Sequence, residues 1–380
     1  MSDVYARLTG QDQAVALLRK AVAGERHSMS HAWLFTGPPG SGRSVAALAF
    51  AAALQCEFGG CGECKSCQEI VGEEHVTHPD VMWVKTDTLS IGVERARELA
   101  MAAQQRPVMG RYRIIVISEA DLLTDRAADA LLKSLEEPAS RCIWLLCAPT
   151  KSDVIVTVRS RCRFIELVLP APAAIAQLLR EREGVEPQLA AWAARVCGGH
   201  IGRAKVLATS EEARSRRTQV LAIPPRLDSL LAALEAAEAL VGIAKSDSEA
   251  QSKQEGDKRE RNMNRLLGLD DSKPLPRFAQ AQFKHLEEQQ KLRGKRLQRN
   301  SLDVALTELT NWFRDVLAIQ TDAKAPLVNQ ELQGQLDEYA ARSTANATIG
   351  KLDAILACRT ALAQNVTPLL ATQALMISLI

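Results

Sequence analysis

The chain has 380 residues, 47% of them hydrophobic, with 47 basic and 45 acidic side chains. That length exceeds one ordinary domain, so two or three are expected, and a net charge of +2 decides nothing about a nucleic-acid partner because charge can cluster locally. No run of about 18 apolar residues occurs, which excludes a membrane-spanning helix, and the start (MSDVYARLTGQDQAV) lacks the basic-then-apolar order of a secretory leader.

Short apolar runs alternate with helical patterns up to about residue 170. Trp33–Thr36, Val81–Val84, Ile114–Ile117, Ile143–Cys147 and Phe164–Leu169 read as buried parallel strands, which are continuous apolar runs bounded by polar residues. Val45–Leu54 reads as an apolar helix. Ala128, Leu131, Leu132 and Leu135 follow the i, i+3, i+4, i+7 spacing of a helix face that stops near Glu137, ahead of Pro138. This alternation predicts a three-layer α/β domain over 1–169. A small helical unit over 170–208 follows, built around Ile175–Leu179, Leu189–Val196 and Ala204–Leu207 with a break at Gly198–Gly199. From 209 to 380 the pattern is all helical. Ser301 stands where it would cap a stripe formed by Leu302, Ala305, Leu306, Leu309, Trp312, Phe313, Val316 and Leu317. The charged stretch 245–300 reads as exposed helices with a mobile loop near Ser246–Asp257.

The first chemical motif is Gly37-Pro-Pro-Gly40-Ser-Gly42-Arg43-Ser44, set between a strand and a helix. This is the context of a phosphate-binding loop, whose backbone N–H groups and helix N-terminus cradle an anion. The motif normally carries Lys where Arg43 stands. The lysine is a compact point charge for the β- and γ-phosphates, and the planar, longer arginine is not a conservative substitute. Ser44 retains the hydroxyl that could reach Mg²⁺. At the end of strand Ile114–Ile117, a hydrolysing P-loop enzyme needs one carboxylate for the metal and another to activate water. Ser118 occupies the first place, Glu119 keeps the second, and Asp121 is displaced from the strand end. These departures predict weak or absent binding of ATP and Mg²⁺ at the chain's own site.

Cys56, Cys61, Cys64 and Cys67 fall within twelve residues in the order C-x4-C-x2-C-x2-C. Four thiolates so spaced can close a tetrahedral zinc site with no open position, which makes the role structural. An iron–sulfur cluster is the rival, although ferredoxin spacing places its fourth cysteine far downstream. His75 and His78 lie nearby as bystanders. A tight cluster within an odd total of nine cysteines points to a reducing compartment.

Six strings occur in order: TGPPGSGRS (36–44), the cysteine cluster, ISEADLLT (117–124), ALLKSLEEP (130–138), SRCRF (160–164) and GGHIGRA (198–204). Together they resemble the bacterial clamp-loader subunits of DNA polymerase III, and NVTPLLATQALMISL (365–379) resembles the last helix of that family. The resemblance implies a RecA-like AAA+ P-loop domain (1–169) with an inserted zinc module (56–67), a helical lid (170–208) and an all-α collar (209–380). It also implies gamma/tau-like and delta-like partner subunits in a hetero-pentamer, a sliding clamp and primed DNA reached through that complex, and a cytoplasmic place in the replisome. Arg161 of Ser160-Arg161-Cys162 matches the arginine finger that acts in trans on a neighbour's ATP. Arg159, Arg161 and Arg163 alternate and, on one strand face, would compete for that role. Arg203 matches the lid arginine that, in an active ATPase, would reach the subunit's own γ-phosphate. Ala148 and Pro149 replace the polar phosphate-sensing residues of the family's ATPases.

The expected function is therefore a stator subunit of a DNA-directed DNA polymerase holoenzyme that does not itself hydrolyse ATP. The degenerate nucleotide site would comprise Gly37, Gly40, Gly42, Arg43, Ser44, Glu119 and Arg203. The alternatives are an active motor ATPase of the same machine, and a stand-alone nucleic-acid binder using 245–300, whose interspersed acids make a weak electrostatic track.

Overall fold

The computed structural model describes residues 3–72, 76–86, 88, 90–267 and 277–380, with side chains placed throughout these ranges except at 250–251 and 253–292. The chain divides into two compact units, Met1–Thr209 and Ser210–Ile380.

The first unit runs α1 (Asp12–Val22), β1 (Ala32–Thr36), α2 (Arg43–Gln55), α3 (Lys65–Val71), β2 (Val81–Val84), α4 (Val93–Ala103), β3 (Arg113–Ile117), α5 (Asp125–Glu136), β4 (Cys142–Ala148), α6 (Val156–Arg159) and β5 (Arg163–Glu166). The five strands form one parallel sheet in the order β2-β3-β4-β1-β5. Successive side chains of a strand point to opposite faces. Trp33, Phe35, Ile114, Val116, Leu145 and Cys147 pack with α2 and α3 on one face. Leu34, Ile115, Ile117, Trp144 and Leu146 pack with α4 and α5 on the other. Both faces are covered, which is why β2 and β4 are apolar throughout and β1 and β3 carry a polar residue only at one end, while the edge strand β5 is half polar. The result is the three-layer α/β domain that the alternation predicts, with the glycine-rich loop between β1 and α2.

The same unit continues into α7 (Pro172–Glu183), α8 (Pro187–Val196) and α9 (Ile201–Thr209). Prolines open α7 and α8 at the first turn, where the missing N–H costs nothing.

The second unit is all helical: α10 (Glu211–Leu221), α11 (Leu230–Leu267), α12 (Arg277–Gln320), α13 (Gln333–Arg342), α14 (Ala345–Ala363) and α15 (Pro368–Ser378). The apolar stripe on α12 is the spine of its core, with Leu302, Leu306, Leu309, Trp312, Phe313 and Val316 fully buried. Two sequence expectations are corrected here. Ser301 does not cap a helix but lies inside α12, and its hydroxyl donates to Asp247 Oδ2 of α11 at 2.9 Å. The expected loop near Ser246–Asp257 is helical backbone within α11, because Glu, Gln, Ala and Lys make up half of the stretch and Gly256 is the lone glycine or proline in it.

The loop that leads into β3 is held by a buried carboxylate. Asp80, fully buried, accepts from the backbone N–H groups of Val108 (2.6 Å), Met109 (2.8 Å) and Gly110 (2.7 Å) and so fixes the loop leading into β3. Burial pushes its carboxyl up, but the three donors and nearby His78 outweigh that and hold it below the usual carboxylate range. A depressed carboxylate contributes stability above its unfolded pKa and loses it as pH falls through the folded value. Asp80→Ala should lower unfolding free energy at pH 7 by about 3 kcal/mol. Urea melts should show that deficit shrinking below about pH 4, the range in which a carboxylate protonates.

Candidate functional site

The phosphate loop sits where β1 turns into α2. Gly40 and Gly42 adopt φ of +90° and +88°, the left-handed region open to glycine. Gly37 N–H donates to Pro149 O at 3.1 Å, so the loop's entry is tied to the end of β4. Gln11, buried at the start of α1, donates to Ser41 O (3.3 Å) and Val168 O (2.6 Å) and accepts from Val168 N–H (3.1 Å). The loop backbone is thus held on two sides whatever its ligand.

The side chains of this loop differ in how far the protein engages them. Ser44 shares a hydrogen bond with the Cys147 thiol of β4, which burial pushes up to about 12 against the nearby Arg43 charge. Arg43 Nη1 is buried with no hydrogen-bond partner among the described residues. The turn before α9 packs directly on the loop: a Cβ on Gly40 would lie 2.5 Å from His200 Cα. His200 precedes α9, and its Nδ1 accepts from Arg203 N–H at 3.2 Å. Burial, then the charges of Arg203 and Arg43, hold the His200 imidazole below its ordinary range. Both sequence-selected arginines, Arg43 and Arg203, therefore lie near enough to His200 to disfavour its protonation.

At the end of β3, the Ser118 hydroxyl accepts from Trp83 Nε1 at 2.7 Å. A group engaged by an indole donor, and uncharged besides, does not replace a metal-binding carboxylate. Glu119 and Asp121 follow in the 3-10 turn region after β3, and their charges register at Cys147. Ala148 ends β4 fully buried, and Pro149 contributes only its carbonyl, to Gly37. The donor set fits a folded anion loop but not a Mg²⁺-dependent hydrolytic site.

The three neighbouring arginines do not share a strand face, contrary to their alternation. Arg159 ends α6, Arg161 lies in the turn after it, and Arg163 opens β5. Each has its own partners. Arg159 donates to Lys151 O at 3.2 Å. Arg163 donates to His27 O (2.8 Å) and Ser28 O (2.5 Å) and stacks over Trp33. Arg161 is ion-paired with Glu136 at the end of α5. Arg159 and Arg163 are tied to backbone carbonyls, whereas Arg161 is ion-paired with an acidic side chain of another helix.

The cysteine cluster sits at the other end of α2, about 20 Å along a thirteen-residue helix from the loop. Cys56 caps α2 and Cys64 caps α3. The four sulfurs lie within 4.8 Å of one another, with Cys56–Cys61 at 3.6 Å and Cys56–Cys64 at 3.7 Å. Tetrahedral zinc with Zn–S bonds of about 2.3 Å sets sulfurs about 3.8 Å apart, so the cluster fits that ion. Backbone N–H groups of Phe58 and Cys61 reach Cys56 Sγ at 3.4 Å, and that of Cys64 reaches Cys61 Sγ at 3.3 Å. Burial pushes the Cys56 thiol up, but these donors and the Cys61 thiol outweigh it and bring it down to about 6. The cluster is closed without a histidine. His78 contacts the backbone N–H of Asp80 instead, and His75 lies outside the described residues. Gly59, Gly60 and Gly62 take positive φ, and Gly60 packs against Val4, whose N–H donates to Gly60 O at 3.1 Å.

A family model described as "DNA polymerase III, delta subunit" matches residues 10–170. The DNA polymerase III subunit delta' of Pseudomonas aeruginosa is 35% identical over 161 residues, covering 41% of this chain and 48% of the relative. The subunit delta' of Bacillus subtilis is 31% identical over 211 residues, covering 56% and 63%. The subunit gamma/tau of Mycobacterium bovis is 33% identical over 189 residues, covering 48% and 32%. Over residues 10–170 the chain is similar to subunits of DNA polymerase III, delta' and gamma/tau alike. The matched stretch spans about half to two thirds of the length of those delta' relatives. Among the described residues, no helix is long and apolar enough to cross a membrane.

Sequence reasoning missed Trp83, His200, Gln11 and Glu136. Trp83 read only as strand core, and its partner Ser118 is 35 residues away. His200 and Glu136 lay inside quoted motifs without a signal for what they touch.

If the cluster holds zinc, purified protein should carry one equivalent of it by mass spectrometry of metals. Cys64→Ser should lose that metal and lower the thermal midpoint by about 10 °C. Iron absorbance, or wild-type protein with much less than one zinc, would overturn the assignment.

Proposed function

We propose that this chain is a stator-type, delta-prime-like clamp-loader subunit whose catalytic contribution is Arg161, acting in trans on a neighbouring subunit's ATP. The observation that carries the reading is at the end of β3. The place for a metal-binding carboxylate holds Ser118, and its hydroxyl accepts from Trp83. Arg43 in place of lysine and the Ala148–Pro149 pair weaken the same site in two further ways. A retained but non-hydrolysing P-loop then serves as scaffold, with Gly40 receiving the lid.

On this reading the chain stands in a hetero-pentamer with gamma/tau-like and delta-like subunits in the cytoplasmic replisome, and the assembly opens a sliding clamp and loads it on primed DNA. Arg161 stabilises charge developing on the neighbour's γ-phosphate, an effect of about 10³-fold or more in other phosphoryl-transfer systems. Zinc keeps the far end of α2 folded and takes no part in catalysis. The motor-ATPase alternative requires Arg43 to do lysine's work and Ser118 a carboxylate's, against the chemistry of both.

The isolated chain with ATP and Mg²⁺ should show no turnover above background. In the reconstituted complex, Arg161→Ala should lower ATP turnover by about 10²- to 10³-fold. Motor-like turnover by the isolated chain, or undiminished turnover with Arg161→Ala, would sink the reading.

A further inference from the structure

We infer that Glu136 is a positioning residue for Arg161, fixing the guanidinium in the orientation that serves the neighbour's nucleotide; the inference rests on the trans role proposed above. A guanidinium carries five N–H donors in a rigid fork. Arg161 Nη1 donates to Thr157 O at 2.5 Å and to Ser160 Oγ at 3.2 Å, and Nη2 donates to Glu136 Oε1. Three donors are thereby committed. The Nε–H and the second Nη2–H have no acceptor among the described residues, which leaves two donors for a phosphate oxygen. The side chain remains 33% exposed and that of Glu136 47%, so a partner subunit can reach both.

Two features set this pair apart from an incidental surface ion pair. The first is that the acceptors come from separate elements. Thr157 and Ser160 belong to α6 and its end, and Glu136 to α5, whose Leu131 and Leu135 are fully buried in the sheet's second layer. The fork is therefore braced between two fixed platforms, and a long, otherwise rotamer-rich side chain is ordered before any nucleotide arrives. The second is local cost. Glu136 is the last residue of α5, where the helix dipole disfavours a carboxylate. A carboxylate kept against that preference, and met there by a cation, follows the pattern of a functional position, at which local rules are broken. Glu137, the next residue, caps the helix with its backbone and has no such contact.

Because the arginine acts on charge formed in the transition state, loss of its positioning lowers kcat and leaves the KM for ATP unchanged. The test is steady-state ATP turnover by the complex reconstituted with this chain, its partner subunits, sliding clamp and primed DNA. Glu136→Ala should reduce kcat by about tenfold with KM altered less than about twofold. Glu136→Gln retains an oxygen acceptor and should lose about threefold. The double variant Glu136→Ala/Arg161→Ala should be no slower than Arg161→Ala alone, since groups acting as one unit are non-additive. Wild-type kcat in Glu136→Ala beside a slow Arg161→Ala would overturn the positioning role and leave the trans arginine standing. A Glu136→Ala loss that multiplies with that of Arg161→Ala would overturn it too, by showing an independent structural effect. Wild-type turnover in Arg161→Ala would overturn both.

Discussion

The structure of the first domain depends on one helix that must be small, apolar and buried on all sides. Ten of the thirteen residues of α2, from Ala46 to Gln55, are buried. Six of those ten are alanine, which lets the helix lie close against β1 and β4 without voids. The two ends of this helix are chemical sites. Its N-terminus receives the phosphate loop, and its C-terminus hands Cys56 to the metal cluster. Fixing α2 in the core therefore fixes both sites, and a metal held by the four cysteines would resist fraying at one end that could otherwise propagate toward the other. The glycine turn launches α2 and lets His200 approach Gly40 closely, and both roles stand whether or not a nucleotide binds.

The distribution of polar contacts separates scaffold from action. Ser118, Ser44, Pro149 and Gly37 are all engaged within the domain, each by a partner that contributes to its packing. Arg159 and Arg163 are likewise tied to backbone carbonyls. Arg161 differs, since it is half-open, braced and left with donors to spare. On the function proposed above, the catalytic contribution of this chain is directed outward from the turn after α6 and not inward at the P-loop.

Much of this was legible from residue patterns. Each of the five strands lies within one to three residues of its apolar run, because a sheet covered on both faces demands continuous β-branched and aromatic positions. The end of α5 is where Pro138 required it. The cysteine spacing identified its own cluster, since four ligands within twelve residues need no tertiary information to meet. What was illegible depended on distant partners. Ser301 has the local form of a cap, yet α12 continues through it because Asp247 of another helix receives its hydroxyl. The alternation of Arg159, Arg161 and Arg163 mimics a strand, but a helix end and a turn intervene before β5 begins. Trp83–Ser118 and Glu136–Arg161 are side-chain contacts across 35 and 25 residues, beyond the reach of any periodicity.

The central claim is that, of two arginines at nucleotide-related positions, only the outward one is catalytic. It is tested most directly by comparing Arg43→Ala and Arg161→Ala in the same reconstituted complex and measuring ATP turnover. The account predicts near-normal turnover with Arg43→Ala and a loss of about 10²-fold or more with Arg161→Ala. A severe loss with Arg43→Ala and little change with Arg161→Ala would contradict it, placing the chemistry back in the chain's own phosphate loop.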